Sequence, residues 1–122
     1  MVLKAGVVFT PHWRPGNTYL VTDEDVINVA MLRGALITPA KRGEKLTYTE
    51  VTAITGVWRQ GPAMTKLLDL LSEDCHQQGE PSLAAICTRK DTGTPGDGFV
   101  TSTYVEDDMQ AVYDYWQQRT RP

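Results

Sequence analysis

Soft metal ligands are scarce in this chain of 122 residues: two cysteines, Cys75 and Cys87, and two histidines, His12 and His76. There is no CxxC pair. Cys75 and His76 are adjacent, so they would not share a helical face. A zinc site needs three or four such ligands at defined spacing, so neither a metal nor any other cofactor is expected. Long apolar runs are missing too. None approaches the ~18 residues that suggest a bilayer-spanning helix. The opening, "MVLKAGVVFTPHW", has neither the apolar core nor the small-residue cleavage site of a signal peptide. The expectation is a cytoplasmic protein with no membrane partner, whose two cysteines stay free thiols in a reducing compartment.

Phosphate-cradling signatures are absent as well. Neither GxxxxGK[ST] nor GxGxxG occurs. In "CTRKDTGTPGDGF", residues 87–99, the lysine precedes the glycines, and a strand is expected to follow where a P-loop has a helix. An excess of positive charge is lacking too. The net charge is −3, which argues against strong nonspecific nucleic-acid binding.

What is present reads as one globular domain, 1–122, with 41% hydrophobic and 22% charged residues. Residues 1–21 form an N-terminal arm: "AGVVF" suits a short strand and "TPHWRPGN" a loop. Residues 22–79 read as helices. Thr22 is a helix cap with Asp25 three residues on. Val26, Ile27, Ala30, Met31, Leu32 and Leu36 follow at helical spacing. Pro39 should stop that helix by about residue 38. Thr47 and Glu50 make a T-x-x-E capping box for a short second helix, and Gly56 stops it. Pro62 opens a third, longer helix. Met64, Leu67, Leu68, Leu71 and Cys75 form its apolar stripe, and Gly79 ends it. A short helix, a turn and a long amphipathic helix spell helix-turn-helix.

Residues 82–104 then predict a β-hairpin wing. Leu83, Ala84, Ala85, Ile86 and Cys87 read as a buried strand, and Phe99, Val100, Thr101, Ser102 and Thr103 as its return. Gly93, Gly96 and Gly98 permit positive φ in the bend between them. Residues 105–119 close the chain as a helix on Met109, Val112, Tyr113 and Trp116. The expected fold is α+β and mainly helical: a winged helix-turn-helix with a β-hairpin wing and a C-terminal helix.

Arg59, Gln60, Thr65 and Lys66 surround the start of the long helix. In a helix-turn-helix that start meets base edges in the major groove, where Arg suits guanine and Gln suits adenine. Asp69, Glu73 and Asp74 further along would repel a backbone, which confines contact to the first turn or two. Arg89 and Lys90 fall at the base of the wing, within reach of phosphates; the alternative is a solvated turn with two surface cations. The cations from Arg33 to Lys90 are not interrupted by the acidic triplets 23–25 and 106–108, which sit at helix starts and complement helix dipoles.

From Leu46 to Phe99 the chain resembles the DNA-binding domain of alkylguanine-DNA alkyltransferases and alkyltransferase-like proteins. "TYTEVTAITG" is similar to that family's "SYGEIARRIG" through Tyr48, Glu50 and Gly56. "PSLAAICTRKDTGTPGDGF" resembles the family's strand, Pro-Cys-His-Arg motif and glycine-rich loop, with Cys87 and Arg89 near its cysteine and arginine. Thr88 stands where the family has the activating histidine, Ile86 replaces its proline, and Pro62 falls near its base-displacing arginine. The resemblance implies a winged-helix scaffold that contacts double-stranded DNA, Tyr48 included, without alkyl transfer. The leading expectation is a non-enzymatic DNA-binding protein, a regulator. A second is a protein-interaction module on the same scaffold (accessory, antitoxin or immunity-type, or a homodimer), which the acidic balance favours. A third, an enzyme using Cys87, lacks a positioned base; a buried structural cysteine fits better.

Overall fold

The computed structural model describes residues 4–11, 16–57, 62–90, 93, 95 and 105–119. Arg59, Gln60 and the expected return strand 99–103 lie outside these residues.

The longest element is helix α1, Asp23–Arg42. Its start follows the sequence. The Thr22 hydroxyl accepts from the Asp25 N–H at 3.1 Å, and the Asp25 carboxylate accepts from the Thr22 N–H at 3.0 Å. Its end does not, because Pro39 lies inside the helix. Proline forfeits one N–H bond to the preceding turn, and here that loss falls in the last turn. Gly43, at φ 71°, then closes the end. Its N–H bonds the Ala40 carbonyl, and the Glu44 N–H bonds the Pro39 carbonyl at 2.9 Å, which satisfies two orphan carbonyls. Burial of Pro39 and Ala40 adds to the hold.

Helix α2, Tyr48–Thr55, has the expected capping box. The Thr47 hydroxyl accepts from the Glu50 N–H, and the Glu50 carboxylate accepts from the Thr47 N–H. Helix α3 spans Pro62–Gln77 and is closed beyond its end by Gly79 and Glu80, whose N–H groups bond the His76 and Cys75 carbonyls. Helix α4 spans Val105–Gln118.

α1 is the hub. It packs against α2, α3 and α4, and against a 3-10 turn at Leu83–Ile86. Val29, Leu32, Leu36 and Ala40 of α1 meet Leu67, Leu70 and Leu71 of α3 and Val112 and Trp116 of α4 in one core. Across this junction Arg33 of α1 forms a bidentate pair with Glu80, both contacts at 2.6 Å. Its guanidinium also lies 5.6 Å from the centre of the Trp116 ring.

The 3-10 turn corrects an expectation. Leu83–Ile86 are not a strand. All four residues are buried, and a strand there would need a neighbour for every backbone group. A 3-10 turn satisfies part of its backbone locally. The Ser82 hydroxyl caps it by accepting from the Ala84 N–H. Only Cys87–Thr88 are extended, as β4. Their partner among the described residues is β3, Leu46–Thr47, and the pairing is parallel.

A second two-stranded sheet lies in the N-terminal arm. β1, Val8–Phe9, pairs antiparallel with β2, Tyr19–Leu20. The protein is thus mixed α+β and mostly helical. No described helix is long and apolar enough to cross a membrane.

Candidate nucleic-acid interface

Parallel pairing of β3 with β4 sets Leu46 beside Cys87 and Thr47 beside Thr88. The next residue of each strand therefore leaves at the same end of the pair. Those residues are Tyr48, the first of α2, and Arg89. Thr88 is buried, and its hydroxyl donates to the Leu46 carbonyl at 3.3 Å, tying the two segments together. Tyr48 is half-buried and packed on the core. Arg89 is half-buried and Lys90 is exposed.

Gly93 lies against Arg89. The Gly93 N–H bonds the Arg89 carbonyl at 2.8 Å, with Gly93 at φ 68°. Lys45, just before β3, donates its ammonium to the Gly93 carbonyl at 2.8 Å. Lys45 thus belongs to this site, although its sequence signal was only a cation two residues before the capping Thr47. Lys41 and Arg42, exposed in the last turn of α1, lie a few residues before it. Glu44, next to Lys45, and Glu50 in the first turn of α2 are acids close to this site. Two hydrogen-bonding interactions with Thr47, through its backbone and its side chain, hold the Glu50 carboxyl below the usual range.

The start of α3 is arranged differently. The Lys66 ammonium lies 2.8 Å from the Asp25 carboxylate and donates to the Leu20 carbonyl at 3.0 Å. Burial pushes the Asp25 carboxyl up, but the Lys66 and Thr22 hydrogen bonds outweigh it and hold the group below its ordinary value. One turn on, buried Asp69 accepts from the Tyr19 hydroxyl at 2.9 Å. The β1–β2 hairpin is thus fastened to the first half of α3. Thr65 is half-buried there. Of the sequence candidates, Tyr48 and Arg89–Lys90 follow β3 and β4 at the same end of the pair, Lys66 is turned toward Asp25 and Leu20, and Arg59 and Gln60 lie outside the described residues. α2 packs on α1, β3 and β4, whereas α3 packs on α1 and the 3-10 turn.

Both cysteines are buried free thiols. Burial pushes the Cys87 thiol up to about 12. It does the same to Cys75, to about 11, against the lowering effects of a Leu83 backbone hydrogen bond and the Arg33 charge. A thiolate nucleophile is the reactive form, and this burial works against it. Among the described residues no group of three or more His, Cys, Asp or Glu is placed to hold a metal.

The chain matches no family model, no curated protein and no solved structure.

Proposed function

We propose that this chain is a non-enzymatic winged-helix protein that binds double-stranded DNA, a regulator by class, and that phosphates meet it at the β3–β4 end. The observation that carries this reading is the parallel register of β3 with β4, from whose common end Tyr48 and Arg89 continue the chain. Lys45 is drawn in by its bond to Gly93, and Lys90 stays exposed. Cations converging from separate segments suit a phosphate backbone, and phosphate contacts position a protein on a duplex without reading its sequence. The likeness of residues 46–99 to the DNA-binding domain of alkylguanine-DNA alkyltransferases supports the same reading. The raised Cys87 thiol and the threonine that follows it support a binding role without alkyl transfer.

Titration of a fluorescent duplex across salt concentrations tests it. Arg89→Ala with Lys90→Ala should weaken binding to every sequence alike. The slope of log affinity against log salt should fall by about one to two units, since each lost phosphate contact removes roughly 0.9. No duplex affinity at low salt would defeat the proposal. A second reading, a protein-interaction module, is favoured by Ile27 and Met31 of α1, which are 60% and 42% exposed.

A further inference from the structure

Those two side chains belong to a longer pattern. Glu24, Ile27, Met31, Gly34, Thr38 and Lys41 are all exposed on α1. Their spacing alternates three and four residues, which keeps a seam straight along a helix that pairs with another. Asp23, Ala30 and Arg42 flank the seam and are exposed as well. One end of it is acidic, with Asp23 and Glu24, and the other basic, with Lys41 and Arg42. The centre is apolar and small.

Gly34 needs an explanation. Glycine in a helix interior is less favourable than alanine. A Cβ at Gly34 would meet nothing within 4 Å in the protomer. Among the described residues nothing in the packing therefore requires the residue to be small. A bare helix surface at that point admits a close approach from outside.

The seam is complementary to itself when reversed. A two-fold axis level with the Leu32–Arg33 peptide sets Glu24 against Lys41, Ile27 against Thr38, and Met31 against Gly34 of a second copy. Asp23 then faces the Arg42 end. A parallel pairing would instead set acid on acid and base on base, which costs affinity. A two-fold interface uses the same patch on both copies, and this patch meets that condition along the whole length of α1, about 30 Å at 1.5 Å per residue.

We infer that α1 is a homodimerisation surface on which a second copy of this chain docks antiparallel, with Met31 of each copy seated over Gly34 of the other. This uses none of Tyr48, Lys45, Arg89 or Lys90, and shares with the DNA proposal only Lys41 and Arg42 at the end of α1. A single helix pair falls at or below the low end of stable interfaces, about 1,200 Å², so the dimer should dissociate on dilution.

Sedimentation equilibrium of the full chain over a concentration series tests the inference. The wild type should pass from monomer to dimer. Gly34→Ala should keep or raise the thermal midpoint of the protomer while weakening the dimer about tenfold or more, because the added methyl blocks a close contact. Glu24→Lys should weaken the dimer about tenfold, and Glu24→Lys combined with Lys41→Glu should restore it, since the swapped charges again face opposites. Circular dichroism confirms that each variant is folded. A chain that stays monomeric to about 1 mM, where association is only marginally favourable, would overturn the inference and give the seam to a different partner. A dimer indifferent to all three variants would overturn it equally, by locating the contact elsewhere.

Discussion

Thr47 and Thr22 make the same reciprocal cap, but their partners differ in environment. Glu50 is exposed, whereas Asp25 is buried and shared with Lys66. Removing the first cap should therefore cost only its own bond. Thr47→Ala is expected to lower stability by about 1 kcal/mol in urea titration. The second is coupled to pH. The Asp25 carboxyl is held below its ordinary value in the folded state, so its contribution is present above the unfolded value of roughly 4 and fades as pH falls through the lower folded one. Asp25→Asn should flatten that acid limb of stability against pH; an unchanged limb would show that Asp25 does not contribute to it. The thiols act in the opposite direction. The unfolded chain ionises its cysteines near 8.5, while burial holds Cys75 and Cys87 at about 11 and about 12. Stability should decline as pH rises from about 9, and alkylation of the native protein near neutral pH should be slow at both. The caps were legible because they are local. The Arg33–Glu80 pair joins residues 47 apart, and the Lys66–Asp25 pair also crosses between elements. No local pattern announces either, which is why Lys66 read as a cation available to DNA.

The same division holds for whole elements. α2, α3 and α4 could be read from capping residues, apolar spacing and glycine stops, because each signal lies within a turn of the boundary it marks. Four described elements departed from the reading, and two of them, β2 and β3, are two-residue strands with no local signal. Pro39 signalled a stop, yet α1 runs on to Arg42, since the closure by Gly43 and Glu44 and the burial of Pro39 hold the last turn. Leu83–Ile86 have the composition of a buried strand but fold as a 3-10 turn, because the faces around them are occupied by α1, α3 and α4. Short apolar runs are ambiguous until their neighbours are known. The two glycines of this region of the fold also separate cleanly. Gly43 sits at φ 71°, and a Cβ there would lie 3.2 Å from the Gln117 amide nitrogen. Gly43→Ala should destabilise by about 1 kcal/mol, against the neutral or stabilising effect expected at Gly34. Thermal melts of the two variants check this: a midpoint lowered at Gly43 and kept or raised at Gly34 is expected, and an equal loss at both would overturn the distinction.

At the scale of the molecule, charge is sorted along α1. Asp23 and Glu24 occupy one end, while Lys41, Arg42 and Lys45, with Arg89 and Lys90 beyond β4, gather toward the other. The net charge of −3 hides this sorting, so composition alone counted against nucleic acid. Distance decides which description a phosphate feels. The two ends of α1 are about 30 Å apart. The screening length is about 8 Å at 0.15 M salt and about 30 Å at 0.01 M. At physiological salt a backbone docked at the β3–β4 end should therefore sense the local charges, in which Lys41, Arg42, Lys45, Arg89 and Lys90 outnumber Glu44 and Glu50, and little of the distant Asp23 and Glu24. Near 0.01 M the acids come into range and oppose binding. The plot of log duplex affinity against log salt should accordingly be straight above about 0.1 M and bend toward a plateau near 0.01 M. Asp23→Asn with Glu24→Gln, assayed at concentrations low enough to keep the chain monomeric, should straighten the low-salt part and leave the high-salt part unchanged. A wild-type plot that stays straight throughout would mean that the acidic end does not act on the bound duplex. A double variant that shifts affinity equally at every salt would place those acids beside the phosphates and move the proposed interface to the other end of α1.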